Sequence, residues 1–145
     1  MSDLDAVTAI RMVDQLFVHA LSAFPEQLRA TRPRPEEWSA LEVLAHDWAI
    51  EARYLAQLRA AVAREALTME PSRGGLQPET AIEWAELIRQ YLAMRDEEIA
   101  LLTSVPPAEW GRTWTHWTYG DIDFHWLARR MQQHTMDGAR SVSRR

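Results

Sequence analysis

The sequence has no cysteine and no lysine among its 145 residues, and all 16 of its basic side chains are arginine. That removes thiol nucleophiles, thiolate zinc sites, disulfides and Schiff-base amines. Coordination chemistry falls to five histidines and the carboxylates, and two of those histidines stand on apolar helical faces. His46 comes three residues after Val43 and four before Ile50, and His134 continues the 3-4-3 series Phe124, Leu127, Met131. One inward histidine is as a rule a hydrogen-bonded core group. Two that project from different helices toward one point are a common way of holding a divalent metal.

Two imidazoles do not make a tight site. A third ligand is expected within one turn of the first two, because residues three or four apart share a helical face. The position four after His134 is Gly138, and the position four before is Arg130. Asp137, three residues after His134, is therefore the expected third ligand. The metal set is then His46, His134 and Asp137, with Glu51 and Glu98 as further carboxylates on neighbouring helices. His19 shares a half-apolar face with Met12, Leu16 and Ala23 and is expected to be half-buried. His116 falls in a loop between two tryptophans, and His125, nine residues from His134, is rotated away toward the surface.

The elements that must position these groups follow from caps, breakers and periodicity. Ser39 with Glu42 three residues on is a capping box, so a helix is expected to start at about Ala40 and to run to Arg64 or Leu67. Leu41, Leu44, Ala45, Trp48, Ala52 and Leu55 form one apolar stripe on it, and Val43, Ile50 and Tyr54 a second. An earlier helix is expected from about Asp3 to Phe24, ended by Pro25, with Ala6, Ile10, Val13, Phe17, Ala20 and Phe24 inward. Thr31-Arg-Pro-Arg-Pro35 forces an extended connection, and Met69 to Pro78 reads as a loop from its Pro and Gly punctuation. A third helix is expected from Pro78 to about Leu102, a single helical turn at Pro106 to Trp110, and an irregular loop from Gly111 to Gly120. Asp121 is the expected N-cap of a last helix reaching about Val142. With no repeat and no strand-like alternation, the expected fold class is all-α: one domain over residues 1–145, built as a four-helix bundle.

Composition narrows the partners. The formal net charge is −5, and arginines scattered among more numerous carboxylates give no basic face for nucleic acid. No apolar run approaches the roughly 20 residues of a membrane-spanning helix, and the opening Met-Ser-Asp-Leu-Asp is acidic where a signal peptide is basic. The expected setting is cytoplasmic, with no membrane partner. Of the seven tryptophans, Trp114 and Trp117 lie outside any helical pattern and are expected to line a pocket or a subunit contact.

Three phrases carry a resemblance over nearly the whole chain. They are Trp38 through His46 to Glu51, the Pro-Pro-x-x-Trp run at 106–110 with its glycine-bearing loop, and His134-Thr-Met-Asp137-Gly138-Ala. Together they resemble the DinB-like (DinB/YfiT) helical-bundle family. The resemblance implies an up-down-down-up bundle, often dimeric, with a divalent metal such as Zn, Ni or Mn held by three histidines, one from the second helix and a His-x-x-x-His pair from the fourth. His46 matches the first ligand and His134 the first of the pair, while Gly138 stands where the second is expected. Similar proteins include transferases and isomerases in which the metal activates a low-molecular-weight thiol. The implied function is a divalent-metal-dependent enzyme, of thiol-dependent transferase, isomerase or hydrolase type, acting on a small molecule as a homodimer. The alternative is a metal-free bundle that binds a small ligand in a cavity left at Gly138 or serves as an interaction module.

Overall fold

The computed structural model describes residues 3–66, 81–116 and 118–145. Four helices dominate: α1 (Asp3–Ala23), α2 (Ala40–Ala63), α3 (Trp84–Ser104) and α4 (Phe124–Ser143). Helix α1 packs on α4 and α3, and α2 packs on α3 and α4, so each helix covers its apolar face with two neighbours and the bundle closes.

The start of α2 is fixed by the capping box. Ser39 Oγ accepts from the Glu42 backbone N–H at 3.1 Å, and Glu42 Oε1 accepts from the Ser39 N–H at 3.1 Å. The same carboxylate receives Arg32 Nε at 2.8 Å and Nη2 at 2.7 Å, which ties the proline-rich connection to the helix end and holds the Glu42 carboxyl down at about 2. Trp38, just before the cap, is thereby set against His46.

Elsewhere the chain departs from expectation in three places. Residues 81–83 are not helical and α3 starts at Trp84; the expected start at Pro78 and the expected loop at 69–78 lie outside the described residues, as does Trp117. The segment 111–120 is not an irregular loop. It carries a hairpin of β1 (Trp114–His116) and β2 (Gly120–Ile122), antiparallel, with Trp114 opposite Ile122 and His116 opposite Gly120. Strands of three residues are too short to show alternation. Asp121 belongs to β2, where it accepts from Thr115 Oγ1 at 3.0 Å, and the N-cap of α4 is Asp123, whose Oδ1 accepts from the Trp126 N–H at 2.8 Å. The expected turn after Pro106 is present as a 3₁₀ turn, Pro107–Glu109.

The core is divided. One apolar cluster gathers Ile10, Leu58, Leu102, Phe124, Leu127 and Met131; the other gathers Phe17, Leu44, Leu87, Tyr91, Ala139 and Val142. Between them every helix interrupts its apolar stripe at the same level. Asp14 comes from α1, Asp47 and Glu51 from α2, Arg95 and Glu98 from α3, and Thr135 from α4, all buried.

Arg95 organises that layer. Its Nε donates to both Asp14 oxygens at 3.1 Å, Nη1 to Glu51 Oε1 at 2.8 Å, and Nη2 to Thr135 Oγ1 at 2.7 Å and the Tyr91 hydroxyl at 3.0 Å. Glu98 Oε1 lies 3.6 Å from Nη1. A fully buried guanidinium survives only with such pairing. Burial works against its charge, and Glu51 leads the groups that hold it protonated. One cation faces three carboxylates, and two of the carboxyls are pushed toward their neutral form. Burial and then Glu51 push Glu98 well above the usual range, and burial raises Asp14 to about 6 despite Arg95.

Candidate metal centre

At the α2–α4 contact, His46, Asp47 and His134 each present one ligand atom, and the three atoms lie within 4.8 Å of one another. The imidazole rings of His46 and His134 are 5.7 Å apart, centre to centre. His46 packs on Trp38 at 4.8 Å, and Tyr54, two turns on from His46, stands edge-on to His134 at 6.0 Å. His134 Nε2 and Asp47 Oδ1 are 3.6 Å apart. That is too long for a hydrogen bond but close to the roughly 3.4 Å between two ligands of one tetrahedral ion at about 2.1 Å.

The electrostatics and the polar accounting suit a cation. Burial, helped by His46, Arg130 and Arg95, lowers His134 to about 4, so the imidazole is neutral, the form that binds metal. Burial, then Glu51 and Asp137, raises Asp47 well above the usual carboxylate range. Asp47 Oδ2 and His134 Nδ1 are buried and have no hydrogen-bond partner. These are not the facing Oδ1 and Nε2, and Glu51 Oε2 and both Glu98 oxygens are orphaned in the same way, so the case for a cation rests on the facing atoms, where a divalent ion would compensate the desolvated carboxylate. Three protein ligands would leave coordination positions open for water or substrate.

Asp47 can be there because of Gly138. A Cβ built at position 138 would lie 1.9 Å from Asp47 Oδ2 and 3.1 Å from its Cγ, with Phe17 Cε1 at 3.4 Å. The carboxylate thus fills the space beside the glycine. The space expected as a cavity beside Gly138 is occupied by a side chain of the protein itself.

The other candidates scatter. Asp137, expected beside His134, is exposed, and Asp47 is the carboxylate that completes the three-atom cluster. Glu51 and Glu98 are both buried in the Arg95 layer. His19 is exposed, not half-buried, because α1 turns its Met12 and Leu16 face outward. His116 is buried in the hairpin, where Nδ1 accepts from the Thr118 and Tyr119 N–H groups at 2.9 and 3.3 Å. His125 packs on Trp110 at 5.3 Å.

Residues 9–138 match the DinB superfamily. Among solved structures, the chain resembles the crystal structure titled TT2238, a four-helix bundle protein, with a TM-score of 0.75 and 13% sequence identity, over 99% of this chain and 100% of that one. At that identity the likeness is one of fold. No curated protein matches the sequence.

Proposed function

This chain belongs to the DinB superfamily, and on that premise we propose that it is a divalent-metal-dependent enzyme whose ion is held by His46, His134 and Asp47. The observation that carries the reading is the convergence of three ligand atoms within 4.8 Å, with His134 Nε2 and Asp47 Oδ1 only 3.6 Å apart. Asp137, exposed one turn from His134, adds negative charge at Asp47 and so draws a cation in.

A divalent ion here supplies Lewis acidity, favouring the deprotonated form of a bound thiol or water at neutral pH. The chain's own residues set the conditions for that. His134 is kept neutral by burial, and Trp38 and Tyr54 shield the imidazoles with aromatic surface. Because the chain has no cysteine, a thiol nucleophile has to come from a small molecule, and water is the other nucleophile such an ion would activate, which fits a thiol-dependent transferase or isomerase, or a hydrolase.

The test is turnover of a panel of electrophiles and esters by untagged protein, with and without a low-molecular-weight thiol, before and after chelation. Activity that chelation abolishes and Zn, Ni or Mn restores supports the reading. Activity indifferent to chelation, or none in a protein saturated with each ion, overturns it.

A further inference from the structure

One cation beside this centre has no carboxylate partner among the described residues. Arg130, half-buried on α4, precedes His134 by one turn, and its charge is felt there. Its Nη2 donates to the Tyr119 hydroxyl at 3.4 Å, and its guanidinium lies 5.7 Å from the centre of that ring. Tyr54, whose hydroxyl feels the Arg130 charge, stands with its ring edge-on to His134. No carboxylate among the described residues pairs with it, in contrast to Arg95 on the far side of Thr135.

A guanidinium next to a divalent-cation site raises the energy of both charges. The two coexist at low cost when an anion lies between them, one end on the ion and the other on the planar N–H fork that matches a carboxylate. The ring and hydroxyl of Tyr119 hold the fork in place without neutralising it.

Resting on the metal reading above, we propose that Arg130, steadied by Tyr119, binds the carboxylate of a small molecule whose thiol or hydroxyl ligates the ion held by His46, Asp47 and His134. Arg130 then selects the substrate class, a short carboxylate with a second donor atom.

The test uses the Co(II)-loaded protein, whose visible absorption changes when a thiolate joins the metal. It is titrated with 3-mercaptopropionate, 2-mercaptoethanol and 2-mercaptoethylamine, which share a thiol and differ in the charge of the tail. The carboxylate is expected to bind at least about tenfold more tightly than the alcohol, and the amine least. In Arg130→Met and Arg130→Gln the order should flatten while cobalt stoichiometry and 2-mercaptoethanol affinity hold. Cobalt bound by the parent with affinity independent of the tail, or a preference that survives both variants, overturns this proposal alone. A parent that takes up no cobalt overturns the metal reading as well.

Discussion

Asp47 and Gly138 are complementary across the α2–α4 contact: the Asp47 carboxylate occupies the space a side chain at 138 would need, with its Oδ2 only 1.9 Å from the position of a Cβ there. The likeness to the DinB/YfiT family led to the expectation of an imidazole at 138, and this chain places a carboxylate from the facing helix in the same space. The space that the likeness assigns to a ligand from α4 is filled from α2.

A first prediction follows from that contact. In most helices Gly→Ala gains about 1 kcal/mol, but at Gly138 the added methyl meets a buried carboxylate, and overpacking of this kind costs about 1–3 kcal/mol. Gly138→Ala should therefore lower the denaturant midpoint and weaken metal uptake together. A midpoint raised by the substitution would show that Asp47 moves aside freely.

Gly138→His alone should be destabilised further and gain no metal, because the imidazole has nowhere to go. Combined with Asp47→Ala it should recover much of the folded stability and bind metal through three histidines. Titration with zinc and a competing chelator compares the single and double variants, and equal affinities in the two would contradict this complementarity.

The buried layer predicts opposite outcomes for two neighbours on α3. Arg95→Leu strands Asp14, Glu51 and Glu98 without their cation, and loss of one partner of a buried pair costs about 3–5 kcal/mol. Burial and Glu51 push Glu98 toward its neutral form, so Glu98→Gln, which keeps the shape and a donor, should change stability by under about 1 kcal/mol. Urea unfolding at pH 7 distinguishes them. A large loss in Glu98→Gln would mean that the carboxyl is ionised.

Asp14 gives the layer a pH signature. Its carboxyl is raised by burial to about 6 in the fold from its ordinary 3.8 in the unfolded chain, so the native state binds the proton more tightly. The contribution to stability is complete below about pH 4 and is lost as pH rises through 6, a swing of about 3 kcal/mol from this group. Glu42 and Glu86, both held at about 2 by arginines, change their contribution below that window. The stability of the parent relative to Asp14→Asn should thus fall between pH 4 and 6. A difference that stays flat or rises with pH contradicts the assignment.

Sequence pattern made parts of this legible for definite reasons. The capping box at Ser39, the apolar stripes and the inward turn of His46 and His134 are local properties of helices, and the structure reproduces them. Asp47 was not legible. It sits next to His46 in sequence, about 100° around the helix, and turns into a partner only because α4 offers a glycine opposite. Arg95 and Asp14 were missed for a related reason: each interrupts an apolar stripe singly and reads as a surface charge until four helices align their interruptions. The one signal available was Asp14 lying between Val13 and Phe17 on the inward face of α1. The hairpin escaped because two three-residue strands carry no period.

The most direct test of the account is elemental analysis of the untagged protein after incubation with zinc, nickel and manganese and exhaustive dialysis, alongside His46→Ala and Asp47→Ala. The account predicts a stoichiometric ion in the parent, none in His46→Ala, and a marked loss in Asp47→Ala. An Asp47→Ala protein that keeps the ion as tightly as the parent would contradict Asp47 as a ligand, and a parent that holds no ion would contradict the centre itself.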